Sequence, residues 1–192
     1  PPSGVYKNVY SVRKDYFKTG YMKMDHLLKN GHRRIGFVPN EPASGGGNEN
    51  IKGIKQALYD HGMRWRDLVQ PGNRPKYWDD PLFAGYEQTR ELLSKHDLTA
   101  LLFDTVRGTF GGLRALYELG LKCPDDISII TSLTHFGIDE MSTPALSTTI
   151  SSNEEQMQTT LDIIMNPGKM ISKDYILDVK LIERESVKTI DL

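Results

Sequence analysis

Apolar residues recur along this chain in two periods, short unbroken runs of strand length and longer stretches in which they return every third or fourth position. The clearest unit is Leu98 to Met141. Leu98 to Phe103 is a continuous apolar run, a polar break follows at Asp104 and Thr105, and Phe110, Leu113, Leu116 and Tyr117 then fall at helical spacing. Gly120 stands where a helix end favours a left-handed residue, Pro124 forbids continuation, and Ile127 to Ile130 is a second apolar run. Strand, helix and strand within about thirty residues is the length of a βαβ crossover, and such a unit implies a parallel sheet.

The rest of the chain repeats this grammar. A short strand is expected near Tyr6 to Val12, then a helix from Phe17 to Asn30 with Tyr21, Met24, Leu27 and Leu28 on one face and Asn30-Gly31 as its stop. Arg34 to Val38 reads as a strand, Ile51 to His61 as a helix, Leu68 to Gln70 as a short strand and Leu82 to Lys95 as a helix announced by Asp80-Pro81. Leu146 to Ile150 is a further strand. Ser152-Asn153-Glu154-Glu155 matches a capping box before a helix whose Met157, Leu161 and Ile164 share a face. Tyr175 to Glu183 alternates as one half-exposed strand. The expectation is an α/β fold, an open parallel sheet with helices on both faces, whose ligands bind where the strands end and the βα loops gather.

Composition narrows the functions. The 24 basic and 25 acidic residues give no field that would hold nucleic acid or an anionic membrane by itself. A single cysteine, Cys123, makes no internal disulfide and suits a reducing, cytoplasmic setting. No apolar run approaches the roughly twenty residues of a membrane span. Gly45, Gly46 and Gly47 fit neither the Walker A nor the dinucleotide spacing and read as a surface loop. The sequence has no nucleophile elbow, no HExxH and no Cys/His cluster with metal spacing, so neither an enzyme, a metal nor a cofactor is expected. His32 reads as a hydrogen-bonder in a turn, and Asp125-Asp126 as a turn before a strand.

Asp15 to Val38, DYFKTGYMKMDHLLKNGHRRIGFV, resembles the D-x-x-x-G…HLL-x-x-GHRRI block of the LacI-type transcriptional regulators. IKGIKQAL at 51–58, TALLFDTVRGTFGGLRALYELGLKCPDDISII at 99–130, PALSTTI at 144–150 and the closing LIERESV agree in order and spacing. The resemblance implies a periplasmic-binding-protein-like type I fold, two α/β subdomains joined by three crossovers with a small ligand between them. It places 1–30 in a remnant of the N-terminal subdomain, 31–145 in the C-terminal subdomain, 146–170 in the crossover back and 171–192 in a last strand and tail. On this reading the chain starts inside the effector domain, and operator DNA is bound through a domain not in this chain, in a homodimer.

The resemblance also proposes site residues. Asp15 matches a family aspartate near the crossover, or serves as a capping residue. Asn50 stands where many relatives carry an arginine that forks onto sugar hydroxyls, and reads equally as a helix N-cap. Trp78, beside Tyr77, sits where relatives stack an aromatic on the sugar, or packs at a subdomain edge. The family's Asn-Asp pair falls on Thr105 and Val106, and its later aspartate on Leu133 and Thr134, so both usual sugar-gripping carboxylates are missing. Asp104, Arg107 and His135 lie beside these gaps and are the candidates to rebuild a polar site. The expected ligand is a sugar or sugar-derived effector, altered from simple hexoses, with a transporter's periplasmic sugar-binding protein as the alternative role.

Overall fold

Three successive strands, β2 (Ile35–Val38), β3 (Ala100–Phe103) and β4 (Ser128–Ser132), are buried at every position, as strands covered on both faces must be. The structure is a computed structural model that describes residues 9–40, 45–72, 80–132, 137–166 and 173–191. β5 (Ser147–Ser151) and β7 (Val179–Ile182) extend the sheet to the order β2-β3-β4-β5-β7. The first three pairings are parallel and β5 with β7 is antiparallel. Val69 adds a single parallel bridge at the β2 edge.

Side-chain alternation decides which helix covers which face. Ile35, Phe37, Ala100, Leu102 and Ile130 pack with Met24, Leu27 and Leu28 of α1 (Tyr16–Lys29) and Ile54, Ala57 and Leu58 of α2 (Gly45–Asp60). Their neighbours Val38, Leu101, Phe103 and Ile129 pack with Leu92 of α3 (Pro81–Lys95) and Leu116 of α4 (Val106–Glu118). The sheet is therefore covered by helices on both faces. The expected start and stop signals act as such. Asp15 accepts from the Lys18 amide, Asp80 from that of Leu82 and Ser152 from that of Glu155, while Gly31 and Gly120 take positive φ. His32 is fully buried and hydrogen-bonds at 3.0 Å to both Thr99 Oγ1 and the Lys188 carbonyl.

Two local expectations are corrected. Gly45, Gly46 and Gly47 lie in the first turn of α2 and not in a loop, so the helix begins before Ile51 and Asn50 is inside it, not at its N-cap. Tyr175 to Glu183 is not one strand. It is β6 (Asp174–Leu177), paired parallel with β1 (Ser11–Lys14), followed after Asp178 by β7 in the larger sheet. Within the first 30 residues, α1 packs in the core of the five-stranded sheet. β5 pairs with β4 in that sheet, and α6 (Asn153–Met165) packs against β1 and β6. The short helix α5 (Ile138–Met141) had no signal in the pattern.

The chain thus crosses between the two sheets at three places: Asp15 between β1 and α1, Ser152 between β5 and α6, and Asp178 between β6 and β7. Of α6, Ile163 is buried, and Met157, Leu161 and Ile164 are more than half exposed.

Helices α1 and α2 touch backbone to backbone. A Cβ on Gly53 would stand 1.9 Å from the Phe17 carbonyl oxygen, and one on Gly20 would stand 2.0 Å from that of Asn50. Gly53→Ala must force the helices apart, at a cost of about 2–3 kcal/mol. Gly62 has φ +74 with open space around it, so Gly62→Ala meets backbone strain alone, about 1 kcal/mol. Urea unfolding midpoints should rank wild type above Gly62→Ala above Gly53→Ala.

Candidate functional site at the carboxyl end of β3

Parallel strands β2, β3 and β4 all end on one side of the sheet, and β1 of the smaller sheet ends at Lys14, whose charge reaches the same cluster. The central element of this rim is the segment where β3 stops. The amide of Asp104 still donates to the Val38 carbonyl at 3.1 Å. Lys23 of α1 reaches the Phe103 carbonyl just before it. Its Nζ donates to Phe103 O at 2.9 Å, and the side chain has no exposed surface at all. Asn50 of α2, also buried, donates Nδ2 to Asp104 Oδ1 at 2.7 Å. The close approach of α1 and α2 at Gly20 and Gly53 brings Lys23 and Asn50 to one spot.

Electrostatically this is a small charge cluster around one fully buried ammonium, with Asp104 and Lys14 partly exposed. Burial lowers Lys23 to about 8, opposed by the charge of Asp104 and reinforced by that of Lys14. Burial likewise raises the Asp104 carboxyl, opposed by Lys23, by Lys14 and by the Asn50 hydrogen bond. Each group loses hydration and each returns part of the loss to the other.

A second network ties the neighbouring loops. Asn40, fully buried at φ 41, donates its backbone amide to Gln88 Oε1 at 3.0 Å and Nδ2 to Thr105 Oγ1 at 2.8 Å, and accepts from the Thr105 amide at 3.3 Å. Asparagine suits that left-handed position, where a branched side chain would be strained. Thr105 precedes α4, yet its hydroxyl caps nothing because it is taken by Asn40. Thr109 continues inward, with Oγ1 donating to Thr131 Oγ1 at 2.8 Å.

Of the residues singled out by sequence, Asn50 and Asp104 are directly bonded, and Thr105 adjoins them through the chain and through Asn40. Asp15 is the N-cap of α1 at the crossing, which is the capping alternative raised for it. Arg107 projects exposed from the first turn of α4. Trp78 and His135 lie outside the described residues. The sequence reading missed Lys23, Asn40 and Gln88. Lys23 carried one signal: it falls three residues after Gly20 and four before Leu27, on the buried stripe of α1.

Other chemistry is scarce among the described residues. No group of three or more His, Cys, Asp or Glu is placed to hold a metal, no helix is long and apolar enough to cross a membrane, and burial pushes the Cys123 thiol up to about 12. A groove of about 670 Å³ lies at the opposite end of the strands, around Leu98 and Ile127, away from these polar groups.

The model of the periplasmic binding protein-like domain matches residues 24–187. The HTH-type transcriptional repressor PurR of Serratia proteamaculans is 30% identical over 190 residues, covering 92% of this chain and 51% of the relative. PurR of Yersinia pestis (strain Antiqua) is 29% identical with the same coverage. The chain therefore spans about half the length of the curated relatives it matches. Among solved structures, a LacI family transcriptional regulator from Enterococcus faecium with bound ribose superposes with TM-score 0.84 at 28% identity, covering 97% of this chain and 68% of that one. A sugar-binding LacI family regulator from Escherichia coli, complexed with phosphate, gives 0.75 at 26%, covering 94% and 64%.

The Lys23 shift has a measurable consequence. Its folded value, about 8, lies below the ordinary 10.5, so between those limits the unfolded chain binds more protons and stability contributed by this group rises with pH. Below pH 8 the group contributes no slope. Urea melts across pH 7 to 10.5 should show wild type gaining on Lys23→Met only above about pH 8.

Proposed function

We propose that this chain, which belongs to the periplasmic binding protein-like domain family and is an effector-binding domain of the LacI type of transcriptional regulator, senses a small polyhydroxylated molecule at the carboxyl end of β3. The observation that carries this reading is the Asn50–Asp104 pair. It presents a carboxylate with one oxygen fixed by an amide, at the strand ends where ligands of open α/β sheets bind. A carboxylate accepts hydrogen bonds from adjacent hydroxyls, which is how a site without the family's usual acceptors at 106 and 133 would still hold a sugar. The ribose bound to the Enterococcus faecium regulator supports a ligand of that class.

The remaining roles follow from the regulator reading. The intact protein works in the cytoplasm as a homodimer and binds operator DNA through a helix-turn-helix segment outside these residues. Effector binding between the two sheets shifts the populations of two arrangements of the dimer. Asp15, Thr105 and Arg107 are proposed as further ligand contacts, and Trp78 and His135 are carried only by the resemblance to the family. The names carried by the relatives and neighbours are those of repressors and regulators, which supports this role over the transporter's sugar-binding protein and over an enzyme.

The test is thermal unfolding of the full polypeptide against pentoses, hexoses and their phosphates at about 10 mM. A ligand present at about 100 times its Kd stabilises by about 2.7 kcal/mol, a rise of several degrees. We expect such a rise for ribose or a close relative. Asn50→Ala and Asp104→Ala should each weaken binding at least about tenfold, or about 1.4 kcal/mol. If no sugar or sugar phosphate raises the midpoint, the reading fails.

A further inference from the structure

The Lys23 charge exceeds what a single carbonyl asks for. A fully buried lysine stands on a helix face it shares with Thr19, Gly20, Met24, His26, Leu27 and Leu28, at the penalty of burying a charge. Its head is aimed at the residue pair that ends β3. It hydrogen-bonds Phe103 O, and Asp104 is the next residue, its carboxylate steered by Asn50. An ammonium has three donors and the carbonyl takes one, so the group is present as a charge as much as a hydrogen-bonder. The charged groups facing it are Asp104 from the end of β3 and Lys14 from the end of β1.

We infer that Lys23 is a positioning residue for ligand recognition: from beneath the strand ends it holds Asp104 as a carboxylate, so that the site takes neutral hydroxyl-bearing ligands and discriminates against ligands whose contacting group is an anion. This inference rests on the effector reading above for its ligand and on Lys23, Asp104 and Asn50 for its mechanism. A carboxyl buried alone protonates and becomes a hydrogen-bond donor, which would suit an anionic ligand. Beside a buried ammonium it stays ionised and can only accept, which suits a sugar hydroxyl. Lys23 thereby chooses between two ligand chemistries without touching the ligand. The directions of both shifts agree with this coupling, since each group opposes the other's loss of charge.

The experiment follows the Asp104 carboxyl by ¹³C NMR in the full polypeptide, its signal assigned by disappearance in Asp104→Asn. In Lys23→Met its titration midpoint should rise by at least about one pH unit, a tenfold change in proton affinity. An unmoved midpoint overturns the proposal, because a lysine that merely fills space would leave it there. Should Lys23→Met fail to fold, the reciprocal measurement serves. With lysines ¹³C-methylated, the Lys23 midpoint should fall by about a unit or more in Asp104→Asn, and an unchanged midpoint is equally fatal. Calorimetry with ribose and ribose 5-phosphate then reads selectivity. Wild type should favour ribose, and Asp104→Asn should lose at least about tenfold for ribose while keeping its affinity for the phosphate. Wild type favouring the phosphate overturns the proposal. Coupled midpoints with neither sugar bound would instead count against the effector reading and leave the Lys23–Asp104 coupling supported.

Discussion

The carbonyl of Phe103, the last residue of β3, is met from outside the sheet by the fully buried ammonium of Lys23. β3 is an inner strand of a sheet covered on both faces, and the Asp104 amide that follows it donates to Val38. A buried carbonyl left without a donor costs on the order of 1–3 kcal/mol, so it matters that a donor reaches it from a helix. Lys23 does, and the reach is short only because α1 lies tight against α2 and the sheet, with glycine at both points where the helices touch. The backbone requirement at the end of β3, the helix packing above it and the chemistry of Asp104 are thus one problem with one solution.

That solution explains why the fold was easier to read than the site. Burial on both faces makes β2, β3 and β4 apolar throughout, and Leu98 to Phe103 or Ile127 to Ile130 announce themselves without knowledge of their neighbours. Caps are equally local, which is why Asp80-Pro81 and Ser152 with Glu155 were legible. Lys23 was not, because a lysine on a helix ordinarily marks the solvated side, and its burial depends on a carbonyl 80 positions away. Asn50 was recognised as a polar candidate but assigned to the N-cap of a helix that it lies inside. Three glycines favour a loop by propensity, and tertiary packing of Ile54, Ala57 and Leu58 draws them into the helix.

The last strand shows a different limit. Tyr175, Leu177, Val179 and Leu181 alternate without a break, and a period of two is blind to which sheet a strand belongs to. The chain changes sheets at Asp178, and the pattern of in and out continues while the partner changes from β1 to β5. A polar residue at the switch was the available hint. Only the pairing partners, which are remote in sequence, distinguish one strand from two.

The crossings also bear on the charge cluster. Two of them are fastened together: the Asp15 amide donates to the Leu177 carbonyl at 3.0 Å, and Lys18 pairs with Asp178 on the surface. The third is closed by the Ser152 cap. Lys14 also lies over the Tyr16 ring, 5.4 Å from its centroid, across the first crossing. Exposed pairs such as Lys18–Asp178 hold a geometry weakly. Lys14 ends β1 in the smaller sheet, whereas Lys23 and Asp104 belong to the larger one. The two cations that oppose the neutralisation of Asp104 therefore sit on opposite sides of the crossings. Any rotation of one sheet against the other carries Lys14 toward or away from Asp104 while Lys23 keeps its place, so the position of the sheets and the charge available to a ligand are linked through a single carboxylate.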